Sequence, residues 1–177
     1  PVSAYLEITQ ITDLASKSPG GGKALLFEDV LESQFLVLTN AFGSDRRVCM
    51  ALGVPDLEVL AERVQKFVQM EPPKSFGDTL RLLPLGLDLL RVIPRKLRTA
   101  PCQEVVYRGA EVDLSRLPVL TCWPQDGGHF ITLPVVITRS LATGRRNAGM
   151  YRLQVYDQTT TGMHWHIHKD GSHYYQE

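Results

Sequence analysis

The chain has 177 residues, 44% of them hydrophobic, and its 19 Lys and Arg residues balance 19 Asp and Glu residues to give a formal net charge of zero. That length suits one domain or two small ones with a buried core, and zero net charge argues against a general nucleic-acid binder, which is usually basic. Because no stretch approaches the roughly 18 apolar residues of a transmembrane helix, no secretory pattern opens the chain and the three cysteines show no CxxC spacing, we expect a soluble cytoplasmic protein.

The first hundred residues predict a small α/β region. The segment LEITQITDLASKS has the periodicity of a short amphipathic helix, which the turn SPGGG ends. The apolar runs KALLFEDV and QFLVLTN predict two strands. Ser44 is a candidate N-cap for a helix through DRRVCMALG, and Asp56 is the candidate N-cap of the clearest predicted helix, PDLEVLAERVQKFVQM. From Pro72 to Pro101 we expect short helices and irregular links.

After Pro101 the pattern changes to antiparallel strands. The stretch QEVVYRGAEVDLSRLPVL predicts a strand, a turn and a strand, and FITLPVVITRS, RNAGMYRLQVYD and TGMHWHIH predict three more strands. The turns LATGR and DQTTTG separate these strands at hairpin distances, and WPQDGGH predicts only a tight turn before a strand. We therefore predict an α+β fold, with an α/β region at residues 1–100 and a mostly antiparallel β domain at residues 101–177.

The Gly-rich stretch SPGGGK partly matches a phosphate-binding loop. A P-loop requires GxxxxGK followed by Ser or Thr, and then a helix whose N-terminus faces the phosphates. Here Lys23 is followed by Ala24 and a predicted strand. We therefore interpret the stretch as a plain flexible turn.

Three histidines, His164, His166 and His168, alternate with Trp165 and Ile167 near the end of the chain. If they lie in one strand, alternate residues share a face and all three imidazoles point the same way. That arrangement is typical of a catalytic zinc site with one open position. The alternative is a solvated strand face with a buried Trp165 behind it, and the spacing leaves both interpretations open.

Arg152 lies between Tyr151 and Leu153 in an apolar strand pattern. An arginine is almost never fully buried without a partner. It therefore lies either at a solvated edge or where its planar guanidinium binds a carboxylate or phosphate through two parallel hydrogen bonds. Strict alternation places Asn147 and Arg152 on opposite faces, and a bulge at Gly149 would bring them together.

Five motifs, in this order and at this spacing, resemble the amino-terminal half of the UbiD family of reversible decarboxylases. They are KALLFEDV, VLTNAFGSDRR, WPQDGGHFITLPVVITR, ATGRRNAGMYRLQV and GMHWHIHKDG. The resemblance runs from about Leu6 to Gly171 and is strongest from Trp123 onward. The family includes 4-hydroxy-3-polyprenylbenzoate decarboxylase and decarboxylases of aromatic and α,β-unsaturated acids. The resemblance implies that the second half is a split β-barrel like that of flavin reductases.

The resemblance also implies a cofactor, prenylated flavin mononucleotide (prenylated FMN), held with a divalent metal, usually Mn²⁺, and often K⁺. It assigns Asn147 and His168 as metal ligands and Arg152 as the catalytic arginine, which removes two ligands from the three-histidine zinc site. An amide oxygen, an imidazole and phosphate oxygens suit a hard to borderline octahedral metal. The residues implied to bind or line the cofactor are Asn147, Met150, Tyr151, Arg152, His164, Trp165, His166, Lys169 and Asp170.

The reaction implied by the resemblance is a non-oxidative decarboxylation in which Arg152 orients the substrate carboxylate. Family members are far longer than 177 residues, and their third metal ligand and proton-donating glutamates lie beyond this stretch, so we expect a fragment that is inactive alone. The full-length protein is expected to be a homo-oligomer whose cofactor comes from a prenyl-transferring flavin synthase. Two alternatives stay open: an FMN-binding split-barrel flavin reductase and a non-enzymatic three-histidine zinc-binding module.

Overall fold

The computed structural model describes residues 1–69 and 95–177. Its helices are α1 (Glu7–Ser16), α2 (Asp45–Leu52), α3 (Leu57–Val68) and α4 (Asp170–Gln176). Its strands are β1 (Leu25–Phe27), β2 (Val37–Thr39), β3 (His129–Ile131), β4 (Val135–Arg139), β5 (Arg146–Met150), β6 (Arg152–Val155) and β7 (Thr161–His164). These elements confirm the predicted α+β class. The links expected between Pro72 and Pro101 lie largely outside the described residues.

The helices of the first half form where the sequence predicts them. Ile8, on the apolar face of α1, is fully buried. The side chain of Ser44 caps α2 by accepting a hydrogen bond from the backbone N–H of Arg47 at 3.4 Å, and Asp56 caps α3 by accepting one from Glu58 at 2.7 Å. Such caps satisfy N–H groups that the first helical turn leaves without intrahelical partners. None of the helices in the described part of the chain is long and apolar enough to cross a membrane.

The described residues form two compact units. One contains Pro1–Val48 and Arg108–Glu177, and the other contains Cys49–Tyr107. All seven strands belong to the first unit, and α3 belongs to the second. The division of the chain at residue 100 stays a prediction.

The strand, turn and strand predicted between Gln103 and Leu120 are wrong. This region instead contains three short 3-10 helices, Pro101–Gln103, Gly109–Glu111 and Leu114–Arg116. Local turn signals outweigh the alternation of apolar residues here. Gly109 has a φ of +55°, and the side chain of Asp113 accepts a hydrogen bond from the backbone N–H of Ser115 at 2.9 Å.

Two of the predicted long strands are each broken into two. Three residues separate β3 from β4, and one residue separates β5 from β6. Ile131 pairs with Leu153, and Val135 pairs with Met150. Between these two pairs, the three residues 132–134 of one chain segment lie opposite the two residues 151–152 of the other. That one-residue excess defines a β-bulge. Leu133 takes a positive φ of 62° within it, and the proline that follows has no N–H to contribute to the ladder.

The bulge does not lie at Gly149, the position at which a bulge would have brought Asn147 and Arg152 onto one face. Gly149 pairs in regular register with Val136. The absence of a side chain at this position makes room for Tyr151 instead, because a Cβ at Gly149 would lie 2.5 Å from the tyrosine ring. The ring is buried as a result, with Tyr151 only 6% exposed.

The strands of the first unit form three antiparallel sheets, β1–β2, β4–β5 and β3–β6–β7. The turns LATGR and DQTTTG connect β4 to β5 and β6 to β7, as predicted. Helix α4 packs against β4 and β5. No pairing among the described strands closes these sheets into a barrel, so barrel closure stays a prediction.

Candidate functional site

The candidate site lies on one face of the β3–β6–β7 sheet. Because side chains alternate along a strand, Arg152 and Gln154 of β6 point to the same face. Directly opposite Arg152 in the ladder is His164 of β7, and directly opposite Gln154 is Phe130 of β3. This face therefore gathers a cation, an amide, an imidazole and an aromatic ring.

Arg152 is held on this face by an ion pair with Asp126. Its two terminal nitrogens donate to the two carboxylate oxygens, Nη2 to Oδ2 at 2.7 Å and Nη1 to Oδ1 at 3.3 Å. The Asp126 side chain is 11% exposed, and the Arg152 side chain is 37% exposed. Two parallel hydrogen bonds fix the plane of the guanidinium as well as its position.

Aromatic rings form the floor under the Arg152 guanidinium. Its central carbon lies 3.8 Å from the centroid of the Phe130 ring and 5.7 Å from that of the Trp123 ring. Phe130 is 3% exposed and also meets the His164 ring edge to face, with centroids 5.1 Å apart. The negative face of an aromatic ring attracts a cation, so Phe130 supports both polar side chains from below.

Asp126 is one of two polar residues on this face, with Gln154, that the sequence patterns did not single out. The Arg152 hydrogen bond, together with the positive charge of that guanidinium, holds the pKa of the Asp126 carboxyl below its ordinary value of 3.8. The two residues are 26 positions apart, and the stretch WPQDGGH predicted only a turn. The usable signal was an acidic residue in a turn before a strand, but the pairing depends on the turn folding back over β6.

The same turn also reaches Gln154. The side-chain Nε2 of Gln154 donates to the backbone carbonyl of Gly127 at 2.6 Å, and its Oε1 lies 3.1 Å from Nε2 of His164. A carbonyl can only accept, so the Gly127 contact fixes which end of the amide faces His164. The amide oxygen then requires a proton on His164 Nε2.

Tyr151 and Met150 differ in their surroundings. The hydroxyl of Tyr151 accepts a hydrogen bond from the backbone N–H of Gly171 at 3.0 Å, at the start of α4. A Cβ at Gly171 would lie 2.7 Å from that hydroxyl, so the tyrosine is tightly packed on this side too. Met150 is 57% exposed at the end of β5. The buried Tyr151 therefore joins the broken strand to the last helix.

The expectation of three histidines on one strand face is wrong. Strand β7 ends at His164, and His166 and His168 lie beyond it in a turn whose Lys169 N–H donates to the His166 carbonyl at 3.0 Å. His166 and His168 are exposed, while Trp165 is half-buried, with its ring 5.3 Å from that of a tyrosine in α4. Within residues 1–69 and 95–177, no three His, Cys, Asp or Glu side chains come together as a group that could hold a metal.

The residues expected around a metal and a phosphate lie near α4. Asn147 is half-buried on β5, opposite Thr138, and α4 packs against this sheet. His168 and Lys169 directly precede α4, and Asp170 is its first residue. All three are exposed. Their roles as metal ligands and cofactor contacts stay predictions.

Two family models match the chain. The model of the 3-octaprenyl-4-hydroxybenzoate carboxy-lyase N-terminal domain (UbiD_N) matches residues 1–67. The model of the 3-octaprenyl-4-hydroxybenzoate carboxy-lyase Rift-related domain (UbiD) matches residues 95–177. Together the two models cover most of the chain.

Curated relatives match nearly the whole chain. An uncharacterized protein of Aquifex aeolicus is 45% identical over 175 residues, which is 99% of this chain and 36% of the relative. An uncharacterized protein of Archaeoglobus fulgidus is 46% identical over 176 residues, which is 99% of this chain and 35% of the relative. The chain thus spans about a third of the length of these relatives.

Solved structures share the fold. HmfF from Pelotomaculum thermopropionicum, a UbiD-class enzyme in an evolved dimeric form in complex with prFMN, is 25% identical with a TM-score of 0.73, and the match covers 99% of this chain and 35% of that one. The vanillic acid decarboxylase of Sedimentibacter hydroxybenzoicus is 25% identical with a TM-score of 0.70, over 97% of this chain and 34% of that one. The family models and the solved structures agree with the resemblance carried by the five sequence motifs, and the chain belongs to the UbiD family.

Proposed function

We propose that this chain is the part of a prenylated-FMN-dependent decarboxylase that binds the cofactor and orients the carboxylate of an aromatic or α,β-unsaturated acid. The observation that carries the proposal is the Arg152 guanidinium, fixed by Asp126 over the buried ring of Phe130. Membership of the UbiD family and the likeness to a vanillic acid decarboxylase support the reaction class. These findings do not favour the flavin reductase or the three-histidine zinc module.

Arg152 has the donors that carboxylate binding needs. A guanidinium carries five N–H groups, and Asp126 engages two of them. Among the described hydrogen bonds, none uses Nε of Arg152. A substrate carboxylate can therefore bind the remaining N–H groups while the ion pair with Asp126 persists. The exposed ring of Trp123, beside the guanidinium, suits the planar, apolar remainder of an unsaturated acid.

Prenylated FMN, when bound, would supply the ring system that takes up the electrons released as carbon dioxide leaves. The complex of HmfF with prFMN supports this choice of cofactor. Arg152 and His164 are cross-strand neighbours on one face, which fits two side chains that line one ligand. The Tyr151 side chain packs against the start of α4. We therefore propose that Tyr151 contacts the cofactor through its backbone. The remaining residues assigned to the cofactor are Asn147, Met150, Trp165, His166, Lys169 and Asp170.

The donor types of Asn147 and His168 fit a divalent metal such as Mn²⁺. An amide oxygen and a neutral imidazole are acceptable to a borderline cation that prefers six ligands. Because the described residues contain no three-ligand group of His, Cys, Asp and Glu, the site needs further oxygens. We assign these to the flavin phosphate and to a glutamate outside this chain, and we assign K⁺ as a second ion.

Several properties of the complete protein follow from the same proposal. A prenyl-transferring flavin synthase supplies the cofactor, and the small unsaturated acid is the substrate. The complete protein is a homo-oligomer, a property supported by the dimeric form of HmfF. The balanced charge supports the absence of a nucleic-acid partner.

The substitution Arg152→Lys tests the proposal in the complete protein. Lysine keeps the charge but loses the planar pair of donors, so it cannot hold Asp126 and a carboxylate in fixed planes together. We expect decarboxylation to fall by about two orders of magnitude or more, the scale of losing a positioned catalytic group. Flavin absorbance should show that the cofactor is still bound.

The matched control is Arg46→Lys, since Arg46 is exposed on α2. We expect this variant to keep wild-type activity. A rate for Arg152→Lys within a few-fold of wild type would mean that Arg152 is structural, and the proposed role would have to be abandoned.

A further inference from the structure

We propose that Asp126 is a positioning residue that turns the Nε edge of Arg152 toward the substrate carboxylate. The inference rests on the proposed function and adds a residue that was not among the site residues predicted from the sequence. Asp126 binds Nη1 and Nη2, which form the end of the side chain.

A guanidinium has two edges that can bind a carboxylate with two parallel hydrogen bonds. One edge consists of the two terminal nitrogens, and the other consists of Nε and the adjacent terminal nitrogen. Asp126 occupies the first edge, with distances of 2.7 and 3.3 Å. The second edge is therefore the one left for an incoming carboxylate. Because the guanidinium is a rigid plane, fixing one edge also fixes the direction of the other.

The turn that carries Asp126 is itself tied down on the site face. The backbone N–H of Asp126 donates to the carbonyl of Trp123 at 3.0 Å, and the carbonyl of Gly127 accepts from Gln154 at 2.6 Å. The carboxylate is largely buried, at 11% exposure, whereas a carboxylate at a solvated surface would be free to reorient. The backbone at Asp126 is therefore held in place, and its carboxylate can hold the guanidinium of Arg152 in one orientation.

The same contacts allow a second role for Asp126, that of a placeholder: its carboxylate occupies the guanidinium until the substrate carboxylate displaces it. The two roles predict opposite effects on substrate binding. A positioning residue improves the fit of the acid, so its removal raises KM and lowers kcat. A placeholder competes with the acid, so its removal lowers KM. The placeholder role is thus an outcome that the experiment can detect.

The experiment compares wild type with Asp126→Asn, Asp126→Ala and Asp126→Glu in the complete cofactor-loaded protein. The first readout is modification of Arg152 by phenylglyoxal, followed by mass spectrometry of its peptide. Arg47 is the internal reference, because its guanidinium donates to backbone carbonyls and not to Asp126. The second readout is kcat and KM for a hydroxybenzoic acid. Asp157→Asn is the matched control, a turn aspartate that does not contact Arg152.

We expect Arg152 to be modified severalfold faster in the Asn and Ala variants, with Arg47 unchanged. We expect kcat/KM to fall by about 10- to 100-fold, the scale of misplacing a reacting group by about 1 Å. Asp126→Glu should restore part of the loss, and Asp157→Asn should behave as wild type. Unchanged modification of Arg152, a lowered KM, or an unaltered kcat/KM despite faster modification would each overturn the inference.

The two readouts separate this inference from the proposed function. If the wild-type holoenzyme decarboxylates no unsaturated acid, the proposed function fails. The modification rates would then still decide whether Asp126 holds Arg152. If the wild type is active and the Asp126 variants match it, the proposed function stands and the positioning role fails.

Discussion

Arg47 in α2 and Arg152 in β6 are both half-buried, but one binds backbone carbonyls and the other binds a carboxylate. The Nε of Arg47 donates to the carbonyl of Ala41 at 3.2 Å, and its Nη1 donates to that of Gly22 at 2.9 Å. Its Nη2 reaches the carbonyl of Gly21 at 3.5 Å. All three nitrogens of Arg47 therefore have a backbone partner.

These two sets of contacts distinguish a cation that holds the fold together from a cation that is available to a ligand. Backbone carbonyls engage every nitrogen of Arg47, including Nε, so three of its five N–H groups are already used. Within residues 1–69 and 95–177, Arg152 is hydrogen-bonded only through its terminal nitrogens, by a side chain that is itself ionised. The first arrangement holds a loop in place, and the second keeps a charge ready in a fixed orientation.

The contacts of Arg47 also explain the Gly-rich turn. Asn40 donates to the carbonyls of Gly21 and Lys23 at 2.8 and 2.9 Å, beside the Arg47 contacts. A Cβ at Gly21, which has a φ of +79°, would lie 1.5 Å from the carbonyl oxygen of Gly43. The turn is followed by strand β1 and not by a helix, which agrees with the rejection of a P-loop. The glycines here serve close backbone packing.

The largest effect on decarboxylation is expected when residues 1–177, which contain Arg152, are tested without the rest of a longer protein. We predict that the polypeptide 1–177, supplied with prenylated FMN, Mn²⁺ and K⁺, releases no carbon dioxide from cinnamic or hydroxybenzoic acids. A proton must be returned after carbon dioxide leaves, from an acid within hydrogen-bond reach. In the described part of the chain, Asp126 is the carboxyl group paired with Arg152, and its lowered pKa keeps it ionised.

Carbon dioxide release measured beside the complete protein, with circular dichroism as a check that the polypeptide is folded, decides this prediction. Turnover above the protein-free control would show that residues 1–177 contain a proton donor. In that case the prediction that residues 1–177 can orient the substrate but cannot return a proton would be wrong.

The next largest effect is expected at the structural cation. Arg47→Ala should lower the free energy of unfolding by about 2–4 kcal/mol, because it leaves the partly buried carbonyls of Gly21, Gly22 and Ala41 without their charged donor. The neighbouring exposed Arg46→Ala should change it by less than about 0.5 kcal/mol. Urea unfolding of the purified protein measures both. Equal changes in the free energy of unfolding for the two variants would show that Arg47 is not the structural cation described above.

Much of the fold could be predicted because its signals are local. The apolar periodicity of α1 and the caps at Ser44 and Asp56 lie within a few residues of the helices that they define. The strands predicted before Leu120 failed for a related reason, since turn contacts such as that of Asp113 compete locally with alternation. The strand through His168 failed because the chain turns immediately after His164.

The site could be predicted only in part. The resemblance singled out Arg152 and His164, which the structure brings together on one sheet face. It did not single out Asp126 or Gln154. Their contacts depend on the register between β3 and β6 and on a turn that folds back over the sheet, and neither follows from residue spacing. Long-range polar pairs of this kind require the three-dimensional arrangement.

A smaller effect should appear at His164, which Gln154 holds much as Asp126 holds Arg152. Gln154→Leu removes the acceptor of the Nε2 proton, so we predict that the neutral imidazole of His164 becomes a mixture of tautomers. Gln154→Glu keeps an acceptor and should keep the Nε2–H form. Nitrogen-15 NMR of histidine-labelled protein at alkaline pH distinguishes these forms, with His129, which contacts Thr121, as the internal reference. A wild-type His164 that carries its proton on Nδ1 would refute the assignment.

The smallest expected effect is the acid sensitivity of the Asp126–Arg152 pair. The folded-state pKa of Asp126 is lowered from 3.8, chiefly by the Arg152 hydrogen bond, so the pair stabilises the fold fully above that ordinary value. This contribution is lost as the pH falls through the lowered folded-state pKa, because protonation of the carboxylate then becomes favourable in both states. Solvent and salt screen a pair in which Arg152 is 37% exposed, which keeps the effect small.

The measurement is the free energy of unfolding of wild type, Asp126→Asn and Arg152→Gln across the acid range at low salt. The difference between wild type and each variant should be constant near neutral pH and should shrink on acidification. Asp157 and Glu177 also have lowered pKa values, from hydrogen bonds with the Thr159 backbone and the Ser140 side chain, but they are present in all three proteins and cancel in the differences. A difference that does not change with pH would mean that Asp126 is not held ionised by Arg152. The cation on this face would then lack the fixed partner that distinguishes it from Arg47.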